Sequence, residues 1–257
     1  MDSSGWPSAW IVPAWPRNER VRALVTTRGG AGESTGMYGA LDGSQGLNLG
    51  LGSGENKDVV LRNRAMLANT IGLSPVWLSQ VHGSSVVRAD PSMAGIAADA
   101  SWTDEAGVAL GILIADCLPV LFADKSARVV AAAHAGWRGL AQGVLENTVK
   151  ALPVPSSDLT AYIGPGIGAS NFEVGEDVYH AFVDRDARSK RHFVAHTPGK
   201  WFADLQGLAH ERLLALDVDV TCEPRSTSGA PELFYSYRRD KTTGRMAALI
   251  WLSSAKE

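Results

Sequence analysis

Three apolar runs between residues 107 and 136 constrain the fold of this chain more than any other feature of its sequence. The run before Cys117, GVALGILIA, is nearly continuous, and PVLFAD and RVVAAAHAG follow it, with the turn-like DKSA between them. A strand with one face in water alternates apolar and polar residues, whereas a strand covered on both faces is apolar throughout. The pattern therefore predicts strands buried between two layers.

Strand and helix patterns alternate along the rest of the chain. VRALVTTR predicts a strand ending at Arg28, and NKDVVLRNRAMLANTIG predicts a helix capped by Asn56 and ended by Gly72. VWLSQVH predicts a strand ending at His82, with SSVVRAD as its hairpin partner. A single helix is expected over residues 136–152, where apolar residues recur at helical spacing.

The second half repeats this alternation, with strands at LTAYIG and DVDVT, helices near GEDVYHAFV and over residues 204–216, and a last apolar strand after an exposed basic turn. No internal repeat or linker interrupts it. We therefore expect one α/β domain over residues 21–257, preceded by an N-terminal tail over residues 1–20. The glycine-rich segment 29–54 is either a functional lid or a mobile surface loop.

Composition narrows the class of protein. The 257 residues are 45% hydrophobic and 20% charged, with a formal net charge of -3 and no basic stripe, which argues against a nucleic-acid partner. No apolar run approaches the roughly 20 residues that span a bilayer. The only two cysteines, Cys117 and Cys222, form no disulfide framework. We therefore expect a cytoplasmic protein, either a monomer or a small homo-oligomer, without membrane partners.

His82, Cys117 and His134 lie at predicted strand ends, separated by 35 and 17 residues. This spacing is far wider than that of zinc fingers, so the three side chains can meet only in the folded chain. Three nitrogen or sulfur ligands with a fourth position left to water suit a catalytic zinc, which lowers the pKa of that water to about 7.

Other interpretations of these residues stay open. Cys117 can be a nucleophile with His134 as its base, oriented by Asp116 or Asp99. Alternatively, the cysteine is a small buried hydrophobe and the histidines satisfy hydrogen bonds in the core. A copper oxidase fits poorly, because the chain has six histidines and no His-x-His pair.

Several arginines are candidates for binding an anion. Arg28 ends the first strand, Arg138 follows His134, and Arg238, Arg239 and Arg245 surround a late turn. Forked guanidinium groups bind phosphate in a bidentate manner, so a group of them in one cleft would suit a phosphate co-substrate. Arg64 lies on the predicted helix, where its position alone favours exposure to solvent.

A series of motifs carries a resemblance to a known family. TTRGG, NLG, NR, QVHG, ADCLPVLFAD, HAGWRGL, YIGPGI, FEVG and YSYRRDKTTGR occur in order from Val21 to the C-terminus. The chain resembles the YfiH-type family, also called the laccase-domain or polyphenol oxidase family. It departs from the family pattern in the longer stretch between TTRGG and NLG, and in GLGSGE after NLG, where an Asp is usual.

The resemblance implies a single-domain layered α/β/β/α sandwich with mixed sheets, a cysteine-hydrolase-like (YfiH-like) fold. It also implies a zinc, with copper less suited, bound by His82, Cys117 and His134. The implied activities are phosphorolysis of purine nucleosides (adenosine, guanosine, inosine and methylthioadenosine) and deamination of adenosine. The partners are then a small nucleoside and phosphate.

The same resemblance maps Arg28, Arg64 and Asp99 onto family positions. Cys117, Asp99 and Arg64 are expected in the catalytic group, and the residues that bind substrate or phosphate are expected to be Arg28, Asn48, Arg64 and Arg138. Two alternatives remain: a thiol- or metal-dependent hydrolase or amidase acting on a cell-wall precursor, and a copper-dependent polyphenol oxidase.

Overall fold

The computed structural model describes residues 5–15 and 18–254, which form thirteen β-strands and six α-helices. The strands are β1 (Val21–Val25), β2 (Val76–Trp77), β3 (Val86–Arg88), β4 (Ala100–Thr103), β5 (Leu110–Ile114), β6 (Leu118–Asp124), β7 (Val130–Ala135), β8 (Leu159–Ile163), β9 (Glu173–Val174), β10 (Phe193–Ala195), β11 (Trp201–Ala203), β12 (Asp219–Cys222) and β13 (Met246–Leu252). The helices are α1 (Lys57–Ile71), α2 (Trp137–Gln142), α3 (Val144–Ala151), α4 (Glu176–Val183), α5 (Leu205–Leu214) and α6 (Tyr237–Asp240).

Two mixed sheets form the centre of the molecule. The six-stranded sheet has the order β12-β8-β6-β7-β4-β3, and the four-stranded sheet has the order β1-β13-β5-β2. Most neighbours are antiparallel, but β12 and β8, β3 and β4, and β2 and β5 pair in parallel. A small third sheet, β10-β11-β9, was not predicted from the sequence, because its strands have only two or three residues.

The two large sheets pack face to face, and helices cover their outer faces. One apolar cluster joins β1, β5 and β13 to β6, β7 and β8. A second cluster packs α3 and α5 on the other face of the six-stranded sheet, and a third packs α1 on the four-stranded sheet. This is the expected single-domain α/β/β/α arrangement with mixed sheets. It explains the continuous apolar runs, since every residue of β6, β7 and β13 is buried.

The two strands predicted on either side of DKSA, β6 and β7, pair as a hairpin, and Asp124 closes its turn. Its buried carboxylate accepts hydrogen bonds from the backbone N–H of Arg128 at 3.0 Å and from that guanidinium at 2.7 and 2.9 Å. Ala127 takes a φ of 53° in the turn. The register sets Leu118 opposite Ala135, which brings the two ends that flank Cys117 and Gly136 together.

The prediction of a hairpin around Gly83 is wrong. The strand before Gly83, β2, ends at Trp77, and β3 pairs in parallel with β4 in the other large sheet. His82 therefore does not end a strand but lies in a turn, with a φ of 59°. The segment after Trp77 crosses from one sheet to the other, which a two-residue periodicity cannot reveal.

The helix expected over residues 136–152 is two helices. Gly143 has a φ of 92° and ends α2, and α3 begins at the next residue. Only glycine takes this left-handed conformation at low cost, so the helix is interrupted there. The helix with Asn56 as its cap and Gly72 as its end has the predicted bounds.

The N-terminal segment packs on the domain, contrary to the expectation of a tail before residue 21. Trp6, Trp10 and Trp15 are each at most 5% exposed, and Ile11 pairs with Val25. The described part of this segment therefore contributes to the core. Within the described residues, no helix is both long and apolar enough to cross a membrane.

Candidate functional site

His82, Cys117 and His134 come together, as the sequence predicted. One ligand atom from each lies within 4.8 Å of the other two, and the rings of His82 and His134 are 4.8 Å apart in an edge-to-face arrangement. Cys117 directly precedes β6 and His134 lies near the end of β7, so the hairpin sets two of the three.

Gly136 makes the close approach possible. A Cβ atom at this position would lie 2.9 Å from Sγ of Cys117 and 3.2 Å from Cδ2 of His82. Such distances are shorter than van der Waals contact, so a larger residue would displace the candidate ligands. The glycine of the HAGW motif therefore has a steric role in the site.

Asp99 holds both histidines of the group in place. Its buried carboxylate accepts hydrogen bonds from the backbone N–H groups of Val81, His82 and Gly83 at 3.2, 2.9 and 2.7 Å, which fixes the turn that carries the His82 ring. The same carboxylate lies 2.8 Å from Nδ1 of His134. Nδ1–H then donates to Asp99, which leaves Nε2 as the ligand atom when the imidazole is neutral and as an N–H donor when it is protonated.

The charges in this group are strongly coupled. Burial opposes ionisation of the Cys117 thiol, but the positive charge of His134 and hydrogen bonds from both histidines outweigh it and lower the pKa of Cys117 to about 6. Burial likewise opposes protonation of His134, but the Cys117 thiolate and Asp99 raise the pKa of His134 to about 9. Burial also opposes ionisation of Asp99, but His134 and the backbone N–H groups lower its pKa. The group thus favours a thiolate beside an imidazolium.

The donor set fits a metal ion. Two imidazoles and one thiolate converge, and Asp99 orients one imidazole as carboxylates commonly do in zinc sites. Among the described residues, no other cluster of three or more histidine, cysteine or acidic side chains has this convergence. That leaves too few ligands there for a cluster of several copper ions.

The candidate metal group lies in a large cavity of about 1110 Å³. Its wall includes the loop Gly50, Leu51, Gly52 and Ser53, the aromatic residues Trp77, Trp137, Phe172 and Tyr237, and the arginines Arg64, Arg238 and Arg245. Part of the glycine-rich segment 29–54 therefore forms a wall of the cavity, in agreement with the functional alternative for that segment.

Arg64 points toward the cavity, although its position in the sequence favoured solvent. Its Nε donates to the carbonyl of Leu49 at 2.9 Å, and its guanidinium lies over the ring of Trp77 at 4.7 Å. Arg245 passes against Gly50, where a Cβ atom would lie 2.5 Å from its Cγ. Burial lowers the pKa of both arginines, although both keep their charge.

Arg64, Arg238 and Arg245 form no ion pair with an acidic residue in the described part of the chain. Arg238 donates through one terminal nitrogen to the carbonyl of Glu173, and Arg245 donates through one to the carbonyls of Thr243 and Gly244. Partly desolvated cations without a carboxylate partner favour the binding of an anion.

Two of the predicted phosphate residues do not line this cavity. Arg28 is 4% exposed, and its guanidinium donates to the carbonyls of Gly39, Pro231 and Met37, so it anchors the glycine-rich segment instead. Arg138 is exposed and lies over the ring of Trp137. The sequence does not reveal the directions of these two side chains, because they depend on local backbone geometry.

Asn48 is buried behind the cavity wall and does not line it. Its amide donates to Ser53 at 2.7 Å and to Glu55 at 2.8 Å, and its carbonyl accepts from the N–H groups of Gly50 and Arg245. It therefore holds the wall loop and Arg245 in place. Of the predicted substrate residues, Arg64 is the one in the cavity.

The sequence did contain a signal for the two arginines that replace Arg28 and Arg138. The motif YSYRRDKTTGR predicts an exposed basic turn, but Arg238 and Arg245 are both half-buried. The aromatic wall residue Trp77 had no functional signal, because it has the pattern of a strand residue.

The chain is similar to known proteins over nearly its whole length. Residues 22–253 match the family described as multi-copper polyphenol oxidoreductase laccase. A Pseudomonas aeruginosa protein named purine nucleoside phosphorylase is 47% identical over 95% of this chain and 99% of its own length. The Escherichia coli purine nucleoside phosphorylase YfiH is 44% identical over 95% of this chain and 99% of its own.

Solved structures give the same result. A Neisseria meningitidis protein is 43% identical with a TM-score of 0.91, covering 96% of this chain and 100% of its own. YlmD from Geobacillus stearothermophilus is 30% identical with a TM-score of 0.83, covering 95% of this chain and 96% of its own. The chain therefore belongs to the laccase-like YfiH family.

Proposed function

We propose that this protein is a zinc-dependent purine nucleoside phosphorylase of the cytoplasm that also deaminates adenosine. The observation that carries the proposal is one cavity that holds both a His-Cys-His group and three arginines, which have no acidic partner among the residues that the structure describes. The names of the relatives support the same class of substrate. Adenosine, guanosine, inosine and methylthioadenosine are the proposed nucleosides, and phosphate is the co-substrate.

Phosphorolysis requires an oxyanion beside the anomeric carbon of a ribose. Phosphate attacks that carbon, the bond to the purine nitrogen breaks, and the base leaves with a proton. Arg64 contacts Leu49, Arg245 contacts Gly50, and both line the cavity, so they can hold the phosphate and neutralise its charge. We propose these two, with Arg238, in place of Arg28 and Arg138.

His82, Cys117 and His134 would hold the zinc, which supplies a Lewis acid and activates water at neutral pH. Asp99 does not line the cavity, so its proposed role is to orient His134 and the turn that carries His82. Trp77 and Phe172 add apolar surface to the wall, where the guanidinium groups of Arg64 and Arg238 lie over their rings.

Incubation of the zinc-loaded protein with adenosine tests the proposal. With phosphate, we expect adenine and ribose 1-phosphate, and without phosphate we expect inosine and ammonia. Cys117→Ala should lose bound zinc and both reactions, whereas Cys222→Ala should keep them. Absence of adenine, hypoxanthine and inosine, together with stoichiometric zinc in Cys117→Ala, would contradict the proposal.

A thiol hydrolase or amidase is the second candidate, because the Cys117 thiolate lies beside the His134 imidazolium and Asp99. The two functions respond to different inhibitors. A thiol enzyme acting on a cell-wall precursor keeps its activity in a chelator and loses it to iodoacetamide. Zinc-dependent nucleoside turnover is lost in the chelator and returns when zinc is added.

A further inference from the structure

Asp116 has a backbone conformation that is unfavourable for its residue type. Its φ is 101°, whereas residues other than glycine avoid this region because of contacts of their Cβ atom. Asp116 lies in the three-residue corner between β5 and β6, where the chain passes from the four-stranded sheet to the six-stranded sheet. The next residue is Cys117.

Three donors hold the Asp116 carboxylate. Thr227 Oγ1 and Ser236 Oγ donate to Oδ1 at 2.6 and 2.7 Å, and the backbone N–H of Arg238 donates to Oδ2 at 2.6 Å. The backbone carbonyl of Asp116 also accepts from Ile167 at 2.8 Å. Short hydrogen bonds to a carboxylate are strong, so together they can maintain the unfavourable φ.

Two of these donors, Ser236 and Arg238, come from a segment that borders the cavity. Ser236 is the cap of α6, and Arg238 and Tyr237 of that helix line the cavity wall. One carboxylate thus joins the corner that carries Cys117 to the helix that carries Arg238. Because all three contacts are made within the protein, the carboxylate is engaged in the framework rather than directed at a substrate.

We infer that Asp116 is a positioning residue that sets the direction of the Cys117 side chain toward His82 and His134 and ties it to the Arg238 wall. Without these hydrogen bonds, residue 116 relaxes toward a negative φ, which turns the following side chain away from the group. The inference rests on one part of the proposed function, namely that His82, Cys117 and His134 form a metal site.

Asp116→Asn is the direct test, since it keeps the size of the side chain but sets an NH₂ group among three donors. We expect the affinity for cobalt(II), measured against a competing chelator, to fall at least tenfold. The absorbance of the thiolate-to-cobalt charge transfer should fall as well. A crystal structure of the variant should show the Cys117 Sγ atom displaced from the two histidines.

Asp124→Asn is the matched control, because Asp124 is a buried carboxylate with three hydrogen bonds at the far end of β6. It should lose stability but keep cobalt affinity and spectrum. Thr227→Val removes one donor to Asp116 and is the second test if Asp116→Asn does not fold. It should weaken cobalt binding less than Asp116→Asn does.

An unmoved Cys117 Sγ atom in crystals of Asp116→Asn, or of Thr227→Val when the first variant does not fold, would overturn the positioning role. So would cobalt affinity equal to that of the Asp124→Asn control. Failure of the proposed function gives a different result: the native protein then binds no cobalt, while the crystal structures still show whether Cys117 depends on Asp116.

Discussion

At the scale of the residue, the site is defined by which side chains have partners and which lack them. Asp99 and Asp116 are fully engaged by donors from the protein, so they act on the site through other residues. Arg64 and Arg245 keep terminal nitrogens free of protein partners among the described residues. The cavity therefore contains guanidinium groups that are available to bind an anion.

Arg245→Gln should raise the KM for phosphate about tenfold or more, because a charge-assisted hydrogen bond contributes about 1.5 to 3 kcal/mol. The KM for the nucleoside should change much less. Initial rates at varied phosphate and saturating adenosine measure the effect. Arg138→Gln is the control, since its side chain is exposed outside the cavity. Equal effects of the two substitutions would remove Arg245 from the phosphate site.

In the metal-free protein, the alkylation rate of Cys117 should rise with pH to half its maximum near pH 6. The thiolate is the reactive form, and its fraction increases as the pH passes the lowered pKa of Cys117. A Cys222→Ser background removes the second thiol, whose pKa is raised by burial. His134→Ala should move the profile to higher pH, and a half-maximum near pH 9 in the parent protein would contradict the coupling.

At the scale of the element, the β6-β7 hairpin brings two of the candidate ligands together. Its register joins the ends beside Cys117 and His134, and its turn at the other end is closed by Asp124. The hairpin lies in the middle of the larger sheet, and its residues are fully buried. Its integrity therefore supports both the core and the site.

Asp124→Asn should lower the free energy of unfolding at pH 7 by about 1 to 2 kcal/mol. The effect is moderate because the arginine that is hydrogen-bonded to the Asp124 carboxylate is exposed to solvent. The hydrogen bond from Arg128 lowers the pKa of Asp124. A lowered pKa contributes stability above the ordinary value of 3.8, and this is lost as the pH falls through the folded pKa.

The difference between Asp124→Asn and the parent protein should therefore shrink toward about pH 3. Urea unfolding at the two pH values measures it. The exposed Asp42→Asn variant, in which the carboxylate binds only Ser44 of its own loop, should differ little from the parent at neutral pH. A difference for Asp124→Asn that stays constant with pH would contradict the assigned charge.

At the scale of the whole molecule, the N-terminal segment packs against both large sheets. Trp15 stacks on Tyr162 of the six-stranded sheet at 5.7 Å and donates to Thr160 at 2.7 Å, while Ile11 pairs with Val25 of the four-stranded sheet. The segment thus connects the two sheets, and its loss would expose their common core.

Trp15→Ala should lower the free energy of unfolding by about 3 to 5 kcal/mol, as for other buried aromatic residues truncated to alanine. Denaturant unfolding followed by circular dichroism measures the change. Val12→Ala is the neighbouring control, because Val12 is 37% exposed and should change stability little. A similar small change for both variants would show that the segment is a tail after all.

The sequence by itself indicated an α/β domain with strands buried on both faces, because continuous apolar runs require such cover, and it indicated Cys117 and His134 as candidate ligands, because the ADC and HAGW motifs lie at the ends of those runs. The resemblance to the family implied the layered sandwich and His82 as the third ligand. The tertiary structure decided which arginines border the cavity. Arg28 and Arg138 lie within the motifs TTRGG and HAGWRGL, yet their side chains lie elsewhere, and Arg245 enters from the turn just before β13. Periodicity reports the face of an element, but the direction of a long side chain depends on contacts between distant segments.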